Sequence, residues 1–205
     1  HMGSKYPIFS FDFTGAKRGV LPASYDYLRL EGRMQYRLNL PPIGYSQLML
    51  EGGKIFGKVP YLLLKLHEGN GTYFYDRYAF SCMNFYEFSS DAWISFFYEH
   101  HFNGFLLGRV PLLKKLNWRE VFVFKGVYGT LSARNDGSLP NTKAVMLFPV
   151  GMSSVEHPYL ETGFGIENIF RLLRVDCIWR LTHHRAVPGL SIPTFTVNFS
   201  LNLKF

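Results

Sequence analysis

The sequence predicts an all-β fold, an antiparallel transmembrane β-barrel of about eight to ten strands, on three observations. Polar and apolar residues alternate strictly over long stretches. The alternating segments recur along the chain, separated by Gly, Pro, Asn and Asp. Aromatic residues make up 18% of the 205 residues, with 20 Phe, 13 Tyr and 3 Trp, high for a soluble domain and expected where aromatic girdles meet a membrane interface. Composition offers no linker between two units. His1–Ser4 reads as an expression remnant and residues 5–205 as a single barrel domain.

The first segment, IFSFDFTG, sets Phe9, Phe11 and Phe13 against Ser10, Asp12 and Thr14. The second, YLRLEGRMQYRLNL, is the clearest: Arg29, Glu31, Arg33, Gln35, Arg37 and Asn39 alternate with Leu28, Leu30, Gly32, Met34, Tyr36, Leu38 and Leu40. Six successive polar positions at period two argue against a helix and mark a face that is no dry core. Pro41-Pro42-Ile43-Gly44 forces a tight turn, and YSQLMLEGG runs back. Further strands are expected near 78–89, 92–103, 118–131, 158–168, 173–183 and 192–205, with Ser89-Ser90-Asp91 as a short reversal. Residues 57–77 read either as a strand plus loop or as a long excursion packed on or inside the sheet. Residues 132–157 read as a mobile surface loop, and 103–118 as an apolar, basic stretch holding a short amphipathic turn.

No apolar run approaches the roughly 20 residues of a spanning helix, so a membrane reading must be a barrel. The expected strands run to about 10–14 residues, as tilted membrane strands do. The polar face is rich in Arg, Asn, Gln and Thr rather than in the Lys and Glu of a solvated exterior. Arg29, Glu31, Arg33, Arg37, Glu161, Glu167, Arg174, Asp176 and Arg180 are expected to form a ladder of charge-assisted hydrogen bonds in a narrow lumen. The alternation reaches the last residue in NFSLNLKF, where Asn198, Phe199, Leu201, Leu203 and Phe205 match the aromatic-ended final strand that outer-membrane barrels present to their insertion machinery. Trp93, Trp118 and Trp179 are expected at the membrane interface.

The net charge of +7 is dispersed, with no cluster longer than Lys114-Lys115 or Lys17-Arg18, which argues against a nucleic-acid partner. Cys82 and Cys177 match no metal or redox spacing. In Glu99-His100-His101 a strand turns His100 away from its neighbours, so no metal site is expected, and no cofactor is called for. Asp12, Glu99 and Asp176 are candidate lumen acids, without a Ser-His-Asp order or nucleophile elbow to make an enzyme of them.

Four stretches, GKVPYLLLKLHEGNGTYFYDRYAF, MNFYEFSSD, EHHFNGFLLGRVPLLKKLNWREV and PYLETGFGIENIFRLLRVDCIWRLT, resemble the C-terminal barrel region of outer-membrane proteins of unknown function in which a carboxypeptidase-regulatory-like domain often comes first. That barrel is in turn similar to the bacterial surface antigen superfamily, the barrels of outer-membrane assembly and two-partner secretion. The resemblance covers about residues 25–205 and implies a non-enzymatic integral outer-membrane protein with a structural or assembly-related role. Its implied partners are the lipid bilayer and the outer-membrane insertion machinery. The alternatives are a hydrolase with its site in the lumen and a small passive pore. Closure of the barrel on itself, by pairing Phe9–Thr14 with Phe195–Leu203, is expected over a homodimer that shares strand edges.

Overall fold

A computed structural model describes residues 6–19, 24–185 and 191–201. Eight long strands form one antiparallel sheet in the order β1 (Ile8–Ala16), β2 (Tyr27–Asn39), β3 (Tyr45–Gly57), β6 (Ala92–His101), β7 (Arg119–Thr130), β9 (Tyr159–Ile169), β10 (Leu173–Arg180) and β11 (Phe195–Leu201). Three short strands, β4 (Lys65–Leu66), β5 (Phe88–Ser90) and β8 (Ser153–Ser154), make a second, small sheet. The only α-helix among the described residues is one turn, α1 (Pro111–Lys114). The fold is therefore all-β, as the alternation predicted.

The pairing carries the alternation across the sheet. Register places Phe11 opposite Gly32, Met34 opposite Leu50, Leu50 opposite Phe96, Phe124 opposite Thr162 and Cys177 opposite Val197. One face is thus a largely apolar surface of Phe, Leu, Ile, Tyr and Val from β1 to β11, interrupted by Ser46, His100, Thr130 and Thr162. In these strands its only charged residues are Lys54 and Glu120. Much of it is exposed, including Phe9, Phe11, Phe13, Ile94, Tyr128, Phe164 and Leu201. The other face carries the predicted charges, and there the burial lies.

Residues 58–91 explain that burial. They leave the end of β3, cross the polar face and return to β6, the strand hydrogen-bonded to β3. Phe80, Met83 and Phe88 of this excursion pack with Met49, Phe97, Val127 and Tyr159 of the sheet. Val59 and Leu64 pack with Ile55 and Trp93. The inner face is therefore a core with apolar patches set among charges.

Three expectations are corrected and one open reading is resolved. Residues 78–89 are not a strand of the main sheet: Ala79–Met83 are buried without alternation, and only Phe88–Ser90 extends. Of the two readings of 57–77 the structure takes the second, an excursion packed on the sheet. The stretch 132–157 is anchored rather than loose, with Asn135, Met152 and Val155 buried; Asn135 Oδ1 accepts from the Val59 amide at 3.1 Å and its Nδ2 donates to Asp91 Oδ2 at 3.1 Å. Last, β1 and β11 are not paired, and the sheet is not closed. The outer edge of β11 is taken instead by the excursion: the Phe199 amide donates to Tyr73 O at 2.7 Å and the Tyr75 amide to Phe199 O at 2.8 Å.

The Pro41–Gly44 turn forms as predicted, with the Leu40 amide donating to Gly44 O at 2.8 Å. Gly44 sits at φ +108°, where a side chain would run into the His101 carbonyl. Together with Asn168–Leu172 and the 102–118 segment, this turn lies at one end of the sheet. The connections 17–26, 58–91, 131–158 and 181–194 all leave from the other end.

Candidate functional site

The charges of the inner face fall into three groups, each tied to the excursion. On the β2–β3 side, Arg29 pairs with Glu31 at 2.6 Å and Arg33 with Glu51 at 2.7 Å. Lys65 of the excursion reaches Glu51 at 2.5 Å, and the Trp93 indole N–H donates to the same carboxylate at 3.3 Å.

At the centre, Glu99 accepts from the Tyr75 hydroxyl, from Arg77 Nε at 2.8 Å and from Arg174 Nη2 at 3.3 Å. Arg174 grips Asp176 in two-pronged fashion, Nε to Oδ2 at 2.7 Å and Nη2 to Oδ1 at 2.8 Å. His101 stands between two acids, its Nδ1 at 3.1 Å from Glu167 and its Nε2 at 3.4 Å from Glu99. This is a closed network in which removing one partner strands the rest.

The third group holds backbone. Glu161 accepts the amides of Ser81 at 2.9 Å and Cys82 at 2.7 Å, and the Tyr159 hydroxyl at 2.6 Å. Lys125 Nζ donates to Asp76 O at 2.7 Å and Ala79 O at 2.6 Å. Arg180 binds Glu87 at 2.6 Å, Cys82 O at 3.1 Å and His183 O at 2.7 Å. An irregular buried segment leaves peptide groups without ladder partners, and these side chains supply them.

The excursion itself has little reactivity. Burial and the nearby Glu161 push the Cys82 thiol up to about 12, which leaves it an inert packing group. Burial and then Lys65 push the His67 imidazole down to about 3. His67 Nε2 lies 2.9 Å from Ser90 Oγ, the spacing of a base and a nucleophile, but Ser90 is fully buried and no acceptor orients the other imidazole nitrogen. No group of three metal-ligating side chains converges among the described residues.

All nine residues of the expected ladder lie on the inner face. Arg29, Glu31 and Arg33 come together, as do Arg174 and Asp176; Glu161 and Arg180 bind the excursion, and Glu167 binds His101. Arg37 is apart, its guanidinium 4.0 Å from the Tyr45 ring centre. Of the candidate acids, Glu99 and Asp176 share Arg174, whereas Asp12 is exposed on β1. Trp93 is a correction: it is buried on the inner face, because Gly53 opposite it leaves room for the indole, where a Cβ would stand 2.5 Å from the ring. Trp118 and Trp179 lie at opposite ends of the sheet, Trp179 exposed against Phe195. Asn198, Phe199 and Leu201 are in β11; Leu203 and Phe205 fall outside the described residues. Sequence reasoning missed Glu51, Lys125, Glu87 and Lys65. Glu51 and Lys125 share the inward parity of their strands, the one signal that could have found them; Glu87 and Lys65 sit on an irregular segment without a period.

Residues 1–133, more than half of the chain, match the family model described as "Family of unknown function (DUF5686) C-terminal domain". No curated protein matches the chain.

Proposed function

The chain belongs to the DUF5686 C-terminal domain family, whose function is unknown, and from that footing we propose that it is wall and plug of an outer-membrane β-barrel of the surface-antigen type. In this reading the protein is non-enzymatic and has a structural or membrane-assembly-related role. The observation that carries it is the largely apolar outer face, with Phe11, Phe96, Phe124 and Phe164 at its middle and charges only at Lys54 and Glu120. In water this would be an apolar patch far beyond what a soluble monomer tolerates. Facing lipid it needs no other cover. The ends agree with this reading at all but one connection: the turns at 40–44 and 170–172 are short, as at a periplasmic end, with 102–118 the longer exception there, and the long 58–91 and 131–158 connections suit an external end.

In a bilayer the free edge of β1 must be paired, because each unsatisfied peptide group costs several kcal/mol there. Either β11 reaches it once residues 73–75 move aside, or a second copy supplies the edge. Cysteines at Ser10 and Ser200, with Cys82 and Cys177 replaced by Ala, separate these: crosslinking within one chain gives closure, and a covalent dimer gives the shared edge.

The reading is tested by folding into lipid vesicles. Wild-type protein should insert, resist protease and migrate differently on gels before and after heating. Phe96→Arg should lose about 2–4 kcal/mol of folding free energy in lipid, the cost of a cation at the middle of a bilayer-facing strand. A protein that stays monomeric and folded without detergent, and tolerates Phe96→Arg, would show that the outer face meets water or protein instead.

A further inference from the structure

The arginines of the inner face are not all alike. At the turn end of the sheet a cavity of about 530 Å³ is lined by Arg37, Arg77, Arg119, Arg171 and Arg174, with Glu167 as the one carboxylate among its lining residues. Arg77 and Arg174 are spoken for by Glu99 and Asp176 behind them, and Glu167 is engaged by His101. Among the described residues the side chains of Arg37, Arg119 and Arg171 have neither an ion pair nor a hydrogen bond. Three cations therefore border one space in which the one carboxylate, Glu167, stands across from Arg119 and is already bonded to His101, so positive charge is in excess there.

They come from three separate elements. Arg37 is on β2, and its guanidinium lies on the Tyr45 ring, which stacks on His101 with ring centres 4.5 Å apart. That stack holds the planar fork in place while leaving its N–H groups unused. Arg119 opens β7, directly across from Glu167 of β9. Arg171 sits in the β9–β10 turn at φ +65°, a left-handed conformation that a long side chain adopts at a cost of about 1–2 kcal/mol. Asn103 and Asn168, also left-handed, line the cavity, the Asn168 amide held by the Asn117 carbonyl at 2.7 Å. Such convergence of unpaired guanidinium groups is the chemistry that recognises a phosphate-class oxyanion.

We propose that this cavity binds a phosphate group, held by Arg37, Arg119 and Arg171. The same group could come from a lipid headgroup or from a soluble phosphate. The cavity's size is that of a small-molecule site, and its binding does not depend on insertion of the sheet in a bilayer.

The test uses the folded 205-residue protein in non-ionic detergent, with arginine modification by phenylglyoxal mapped by mass spectrometry. One arm adds inorganic phosphate. The other adds short-chain phosphatidic acid to the micelles, with phosphatidylcholine of the same chain length as control. Protection of Arg37, Arg119 and Arg171, without protection of the exposed Arg134 at the far end, is the expected result. Protection by phosphate identifies a soluble source; protection by phosphatidic acid alone identifies a lipid headgroup. By calorimetry Arg37→Gln and Arg171→Gln should each weaken binding about tenfold, the loss of one charge-assisted contact, whereas Arg29→Gln should leave it unchanged. If neither probe protects the three arginines, or if Arg134 is protected equally, the site does not exist. The protection arms use wild-type protein, so they decide the matter even where a variant fails to fold.

Discussion

β2 and β10 carry the same kind of inner face, with arginines and acids at most of the alternate positions, and they meet different fates. On β2 the side chains of Arg29 and Arg33 remain 28% and 40% exposed; on β10 those of Arg174, Asp176 and Arg180 are 4%, 0% and 0% exposed. The difference is cover. The excursion lies over β3 to β10, packing on Met49 and Ile55 of β3, and leaves the arginines of β2 at its margin. Alternation thus determines which way a residue faces, while the energetics of that residue depend on what arrives to cover it.

The largest effect that would sharpen this contrast comes from Glu99. Changing it to Ala leaves the buried Arg174 and the half-buried Arg77 without their shared acid and should cost about 3–5 kcal/mol, read as a lower urea midpoint in detergent. Amide exchange should rise along Thr72–Cys82 as the excursion loosens. Acid should act next, through His67. Its folded-state pKa lies below its unfolded value near 6.5, so its contribution is complete above about pH 6.5 and is lost as pH falls from there toward the folded value. The slope is about 1.4 kcal/mol per pH unit. His67→Gln, which can keep the Ser90 contact, should flatten the profile between pH 6 and pH 4.5, roughly the window set by that linkage; an unchanged slope would place the acid sensitivity elsewhere. The smallest effect belongs to the uncovered side, where Arg29→Ala should cost less than about 1 kcal/mol. A loss at Arg29 as large as that at Glu99 would break the comparison, since cover would then not be what separates the two strands.

What was legible in the sequence follows the same line. Period two placed the long strands, the Pro41–Gly44 turn and the facing of all nine ladder residues, because a strand exposes its two faces by simple parity. It did not place Trp93, whose inward position depends on a glycine on the neighbouring strand, or residues 78–89, which look like a strand but have their amides used by Glu161. Nor could it show the free arginines at the turn end. Arg119 and Arg171 are 52 positions apart in sequence, and only the pairing of β7 with β9 brings their surroundings together.

The excursion also sets an order of events. Its residues are made early in the chain and its start is held by β3 and β6, yet many of the groups that fasten the rest come late: Glu161, Arg174 and Arg180 on β9 and β10, and finally Asn198, whose Nδ2 donates to Thr72 O at 3.1 Å across 126 residues. Contacts so distant along the chain form slowly. The segment must therefore wait, apolar side chains and bare peptide groups together, until the last strand is in place. The β3–β6 hairpin can assemble without it, but its own seating is the final step, and whatever shelters it meanwhile governs how much of the protein arrives at this fold.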